Sequence, residues 1–253
     1  MLLISLRSNR VVSTAADDEL ATALAPARRL SSSKPTPARP DGTAVPAAVV
    51  NRLSMYLREL HHLLAENRQT TSSSQLGRRL GFTDAQVRKD LAHFGHFGHP
   101  GIGYRCDELV AEIRKILGTD RTWNVGLVGV GNLGRALLGY RGFEPQGFVI
   151  VAAFDSDSSK AGSPVEGVPV YPMESLVEEV RRLRIEIGIV AVPAPFAQPT
   201  TDKLVAAGVS GIVNFAPVTV NVPEGVSKVG VDLARELEQV TFAVANRLKV
   251  GDE

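Results

Sequence analysis

The chain has a single cysteine, Cys106, among 253 residues. One sulfur excludes an intramolecular disulfide and a thiolate metal cage, and it suits a reducing cytosol. Long apolar runs are lacking as well. No stretch approaches the roughly 18 uncharged apolar residues of a membrane helix, and the opening MLLISL is interrupted by Arg7 and too short for a signal peptide. The expectation is a soluble cytoplasmic protein with no membrane partner. Excess charge of one sign is also missing: 28 basic and 27 acidic residues leave a formal net charge of +1. Any nucleic-acid surface must therefore be local. His93, His96 and His99 form H-x2-H-x2-H, but no carboxylate or second cysteine joins them at a familiar zinc spacing, so no metal is expected.

What is present supports packed domains. Apolar residues make up 44% of the chain and charged residues 22%, as in ordinary globular proteins. Residues 1–44 are rich in Ala, Ser, Pro and Arg. They bury too little apolar surface to offset their ordering entropy and read as a disordered extension, with a short helix around 15–25 left open. From Val45 the pattern changes. Pro46 suits a first helical turn, and Val49, Val50, Leu53, Tyr56, Leu57, Leu60, Leu63 and Leu64 recur at helical spacing. Ser72 and Gln75 have capping-box spacing at the head of SSSQLGRRL, Gly81-Phe82 reads as a turn, and Thr83 with Gln86 repeats the box. Helices joined by such short turns form a helix-turn-helix pattern. GHFGHPGIGY cannot be helical and suits the wing hairpin of a winged helix, after which residues 107–117 close the unit as an amphipathic helix.

After Trp123 strands and helices alternate. NVGLVGVG reads as a buried strand entering a glycine-rich turn, NLGRALLGY starts a helix, and FVIVAAFDSD is a second strand. IGIVAVPA, GIVNFAP and VSKVGVD read as further strands, with MESLVEEVRRL and PTTDKLVAAG as helices and DLARELEQVTFAVANRL as the tail helix. This order predicts a parallel sheet with helices on both faces. The expected architecture is α/β: a winged-helix DNA-binding domain at 45–120, a Rossmann-type dinucleotide domain at 121–232, and a closing helix at 233–253.

Gly129-Val130-Gly131-Asn132-Leu133-Gly134 is G-x-G-x-x-G. Alone the hexamer says little. Here it follows a strand, opens a helix, and is followed by Asp155 at the end of the next strand. Gly129 would permit the tight turn, Gly131 the approach of a pyrophosphate to the backbone, and Gly134 the packing of helix on strand. Asp155 would accept hydrogen bonds from the adenosine ribose and repel a 2′-phosphate, favouring NAD(H) over NADP(H), while Lys160 softens that preference. A Rossmann-like unit binding another nucleotide, or none, is the alternative.

Gln86, Arg88 and Lys89 stand near the start of the third helix, where a recognition helix meets bases and phosphates. Arg pairs bidentately with guanine and Gln with adenine. Ser73 and Ser74 open the second helix and can hold phosphate, and Phe97 and Tyr104, in and after the glycine-rich loop, complete the candidate DNA contacts. Against this, Arg-Lys pairs are usually a solvated face, and three-helix bundles of this size also serve as dimerisation modules.

RLSMYLREL, SSSQLGRRLGFTDAQVRKDL, GIGY, GVGNLG, NFAP and GVDLARELE occur in this order over residues 46 to about 248. In these segments the chain resembles the Rex family of bacterial redox-sensing repressors. The resemblance implies a homodimer with a domain-swapped C-terminal helix. It implies a non-enzymatic repressor that binds palindromic double-stranded operator DNA when free or with NAD⁺, and leaves it when NADH binds. It further implies that Tyr140 responds to the nicotinamide, that Asp232 pairs with Arg58 of the other subunit, and that Pro193 and Ala194 wall the nicotinamide pocket. Where relatives place Lys or Arg before GIGY this chain has His96, His99 and Pro100, and Phe97 stands where tyrosine is usual. Those departures imply weaker or pH-sensitive wing contacts with phosphate. Arg105 beside Cys106 would lower the thiol pKa modestly, but an ordinary partly buried cysteine is the stronger reading, with redox sensing left to the nicotinamide. Two rivals stand beside this reading. An NAD-dependent dehydrogenase would need a substrate domain for which the chain leaves no room, and a CoA-binding domain would carry a similar sheet and glycine-rich turns.

Overall fold

The computed structural model describes residues 45–251, so the expected disordered extension at 1–44, with its optional helix, lies outside the described residues. α1 (Ala47–Ala65) starts one residue after Pro46, which is the N-cap rather than part of the first turn. Its buried stripe is Val49, Leu53, Tyr56, Leu60 and Leu63, the spacing of one helix face. β1 (Thr70–Thr71) leads into α2 (Ser73–Leu80), whose capping box is complete. The Gln75 N–H donates to Ser72 Oγ at 3.1 Å, and the Ser72 N–H donates back to Gln75 Oε1 at 3.2 Å.

α3 (Asp84–Ala92) departs from the expected second box. Thr83 Oγ1 accepts the Gln86 N–H at 3.1 Å, but the Gln86 side chain turns forward and donates to Asp90 Oδ1 at 2.7 Å. A buried carboxylate one turn ahead offers a stronger acceptor interaction than a reciprocal cap. The turn between α2 and α3 needs its glycines. Gly81 has φ +76°, and a Cβ on Gly77 would lie 2.5 Å from Phe82 O. The wing is minimal: His99 and Gly103 bridge antiparallel, and β2 (Tyr104–Arg105) then pairs with β1. α4 (Cys106–Leu117) closes the unit, packing Leu109 and Ile113 with Leu53, Leu60, Leu76, Val87 and Leu91. Each such side chain contributes roughly 1.5–3 kcal/mol when fully buried.

The second half follows the alternation expected from the sequence. Its elements are β3 (Trp123–Val128), α5 (Asn132–Leu138), β4 (Phe148–Asp155), β5 (Val170–Pro172) and α6 (Leu176–Arg182). They continue through β6 (Ile187–Val190), α7 (Ala194–Ala207), β7 (Gly211–Asn214), β8 (Ser227–Gly230) and α8 (Leu233–Gly251). The six strands are all parallel in the order β5-β4-β3-β6-β7-β8. β4 shows the pleat at work: Ala152 and Phe154 join one core with Leu176, Val180 and Leu204, while Ala153 joins the other with Leu127 and Leu138. Helices α6 and α7 thus cover one face and α5 the other. α8 differs, because its side chains from Leu233 to Asn246 are exposed.

Candidate functional site

The chain runs outward from β3 through β4 to β5, then returns to β6 on the other side of β3. The reversal opens a crevice at the carboxyl ends of β3, β4 and β6, where open α/β sheets bind ligands. A cleft of about 540 Å³ lies there, lined by Gly129, Gly131, Asp155, Lys160, Met173, Glu174, Pro193, Phe196, Thr200 and Lys203 among others. That volume suits a small-molecule or cofactor site.

Two of the three motif glycines occupy positions that reject a side chain, and the third leaves room for one. Gly129 has φ +100°, and a Cβ on it would lie 2.4 Å from Ala191 O. A Cβ on Gly134 would lie 1.9 Å from Gly129 O, so the helix rests directly on the turn. A Cβ on Gly131 would meet nothing within 4 Å. Its bare backbone faces the cleft, as a pyrophosphate would require. Asn132 and Leu133 are exposed at the first turn of α5, whose amides lack intrahelical acceptors. The Val130 side chain is fully buried in the sheet core, leaving only its backbone near the cleft.

Asp155 is already engaged. Its Oδ2 accepts the Val130 N–H at 2.7 Å and Lys160 Nζ at 3.0 Å, and its Oδ1 accepts the Asp157 N–H at 2.9 Å. Burial alone would raise this carboxyl, but the Asp157 N–H, Lys160 and the Val130 N–H together hold it below the ordinary range. Asp155 therefore braces the glycine turn as well as facing the cleft, and Lys160 neutralises much of its charge. Ala194 and Tyr140 are not among the lining residues. Tyr140 is exposed and packs edge-on against Phe143, with ring centroids 4.8 Å apart. Met173, Glu174, Phe196, Thr200 and Lys203 were not singled out from the sequence. Met173 and Glu174 come from the turn just after β5, and Phe196, Thr200 and Lys203 from α7, where no motif marks them.

On the other half, Ser73 and Ser74 open α2 and Lys89 is exposed on α3. Arg88 Nη1 donates to Asp84 Oδ2 at 2.7 Å and to Ser73 Oγ at 3.2 Å, which brings the candidate phosphate-binding start of α2 beside α3. Beneath them lies a cluster that sequence reading missed. Asp90, 1% exposed, accepts Arg52 Nε at 2.6 Å and Arg52 Nη2 at 2.8 Å. It also accepts the Tyr56 hydroxyl at 2.7 Å and Gln86 Nε2 at 2.7 Å. Burial alone would raise the Asp90 carboxyl, but the bonds from Arg52, Tyr56 and Gln86 hold it below its ordinary value. Phe97 and Tyr104 are half-buried against the helical core.

His99 Nε2 lies 3.2 Å from Glu108 Oε2, and His96 is exposed. Among the described residues no three His, Cys, Asp or Glu side chains converge as metal ligands. Cys106 overturns the lesser reading, that of a thiol activated by Arg105. Its thiol is fully buried, and burial, with Asp107 nearby, pushes its pKa up rather than down. Arg105 turns instead to Asp107 and Glu108. Arg58 and Asp232 are both exposed. Asp232 caps α8 by accepting the Ala234 N–H at 3.0 Å.

Comparison with known proteins matches both halves. A family described as "Putative DNA-binding protein N-terminus" matches residues 44–92, and one described as "CoA binding domain" matches residues 120–218. The redox-sensing transcriptional repressor Rex of Carboxydothermus hydrogenoformans is 48% identical over 203 residues, 80% of this chain and 98% of that protein. Rex of Desulfitobacterium hafniense is 47% identical over 203 residues, 80% of this chain and 97% of its own. The crystal structure of RSP in complex with beta-NAD⁺ and operator DNA superimposes with a TM-score of 0.78 at 37% identity, covering 83% of this chain and 97% of that one. RSP in complex with beta-NADH gives a TM-score of 0.75 at 36% identity over 83% of this chain and 99% of that one. The chain therefore belongs to the Rex family of redox-sensing transcriptional repressors.

Proposed function

We propose that this protein is a homodimeric, non-enzymatic repressor of the cytoplasm. It binds palindromic operator DNA when free or with NAD⁺ and is released by NADH. The reading assigns operator binding to residues 45–120, NAD(H) to 121–232, and dimer exchange to the helix at 233–253. The observation that carries it is the cleft at the strand-order reversal, where the bare backbone of Gly131 meets open space beside Asp155. The RSP relative, solved once with NAD⁺ and operator DNA and once with NADH, supports joining that cleft to DNA binding in one chain.

Linkage supplies the logic. A ligand shifts a two-state dimer only by its differential affinity for the two states. If NADH favours a dimer whose recognition helices no longer match successive major grooves, DNA must weaken NADH binding by the same factor. Tyr140, Arg58 and Asp232 are assigned to this switch. The exposure of Arg58 and Asp232 leaves both accessible to a second subunit. Pro193 and Ala194, at the start of α7, are assigned to the nicotinamide wall, and Pro193 lines the cleft.

The test is titration of an operator complex with NAD⁺, NADH, NADPH and CoA separately, followed by fluorescence anisotropy. Release by micromolar NADH, with the others far weaker, is the expected result. Release by CoA instead would transfer the cleft to the CoA-binding reading, and turnover of alcohols or hydroxy acids would return the dehydrogenase. The variant Tyr140→Phe is expected to keep operator binding and to lose most NADH-induced release. Full release from that variant would remove Tyr140 from the switch.

A further inference from the structure

A carboxylate on the buried face of a helix is costly unless its acceptor sites are filled. At Asp90 they are filled evenly: Oδ2 accepts Arg52 Nε and the Tyr56 hydroxyl, and Oδ1 accepts Arg52 Nη2 and Gln86 Nε2. Arg52 and Tyr56 lie on α1, whereas Gln86 and Asp90 lie on α3. An arginine fork and a tyrosine already supply three charge-assisted or buried donors. The fourth bond comes from a residue near the helix start whose side chain could have completed a capping box with Thr83, and does not.

We propose that Asp90 is a positioning residue for base readout, setting which end of the Gln86 amide is offered to DNA. This rests on the reading of α3 as the recognition helix. An ionised carboxylate only accepts, so the end of the amide that faces it must be the NH₂ group. One N–H is taken by Asp90, which leaves Oε1 and the second N–H at the free side of the amide. An acceptor beside a donor is the complement of the N6–H and N7 edge of adenine, and of no other base edge in the major groove. A glutamine free to flip would present its two ends in either order. Asp90 thus selects adenine indirectly, from the buried face of the same helix, while Arg52 and Tyr56 hold the carboxylate against α1. The Arg88 and Lys89 cations add affinity without depending on this amide.

The test uses the full chain and a palindromic duplex selected from random DNA by the wild-type protein, with a panel of single base-pair replacements. Gln86→Ala identifies the pair that Gln86 reads. Asp90→Asn, which can accept or donate, is expected to lose discrimination at that same pair by about tenfold, the size of one good bidentate contact, while NADH affinity is unchanged. Tyr56→Phe removes a donor from the other oxygen, and is expected to lower Tm while keeping the discrimination. Unchanged base preference in Asp90→Asn, with only a lower Tm, would make Asp90 a structural ion and overturn the proposal. If Asp90→Asn does not fold, side-chain amide exchange of Gln86 by ¹⁵N NMR decides on the wild-type protein. Protection beyond that of surface glutamines is expected, and free exchange overturns it. Should the wild type select no DNA, the operator reading fails; the exchange measurement still tests whether Asp90 holds the amide.

Discussion

Two carboxylates, Asp90 and Asp155, are each held by several donors, and each leaves a measurable trace. The Asp90 pKa is lowered, so its charged form is favoured in the folded state. Its contribution is fully present above the unfolded carboxylate value of about 4 and is lost as pH falls through the lower folded value. Urea unfolding of wild type and Asp90→Asn should differ by a constant amount between pH 5 and 7, roughly 3–5 kcal/mol if the buried pair is broken outright. The difference should shrink below about pH 4. Lys160 gives a second outcome. Removing its charge leaves Asp155 unscreened against a 2′-phosphate, so Lys160→Ala should widen the preference for NADH over NADPH by roughly tenfold, as one nearby charge predicts at intermediate dielectric. Isothermal titration with both cofactors measures it; an unchanged ratio would show that Lys160 acts only as a brace. Asp155 was legible because a strand end and a glycine turn mark its place. The partners of Asp90 were not, since Arg52 and Tyr56 lie 38 and 34 residues away from it in the chain, and no local pattern encodes such a distance.

Among the elements, the glycine turn separates fold from ligand. Gly131→Ala places a methyl in open space, so the Tm should hardly move, yet NADH should bind at least about tenfold more weakly if the pyrophosphate rests there. Gly134→Ala drives a methyl into Gly129 O. It should cost roughly 1–3 kcal/mol or more by overpacking and lose NADH binding with it. Differential scanning calorimetry beside NADH fluorescence separates the two, and equal thermal losses would refute the assignment. These glycines could be read in advance because their steric demands are local. β5 could not, being three residues ending in Pro172. The wing was expected as a hairpin, but the strand it pairs with was not. β2 joins Thr70–Thr71, more than thirty residues earlier, just before the Ser72 cap that was the only feature read there.

At the scale of the whole molecule, α8 sets the chain apart from a self-sufficient fold. Leu233, Leu237, Val240 and Val244 make one stripe along it, and Leu237 and Phe242 are 68% and 71% exposed. A patch of that kind marks an interaction surface, and the proposed dimer supplies a second copy to cover it. Light scattering should give a dimer for the wild type. Leu237→Lys should shift it to monomer, with operator affinity falling by at least about tenfold because two half-sites are no longer held together. A wild-type chain that stays monomeric at working concentration would end the dimer proposal. The sequence showed the tail as one more helix, and only the family resemblance implied that it packs on a second subunit, because a helical pattern does not report what meets its apolar face. The same lack has a regulatory side. A chain that completes its packing only with another copy has a melting temperature that rises with its own concentration. In the proposed dimer the amount of repressor would then be a second input to the switch, set by expression and degradation, and would help determine how much NADH is needed to release a gene.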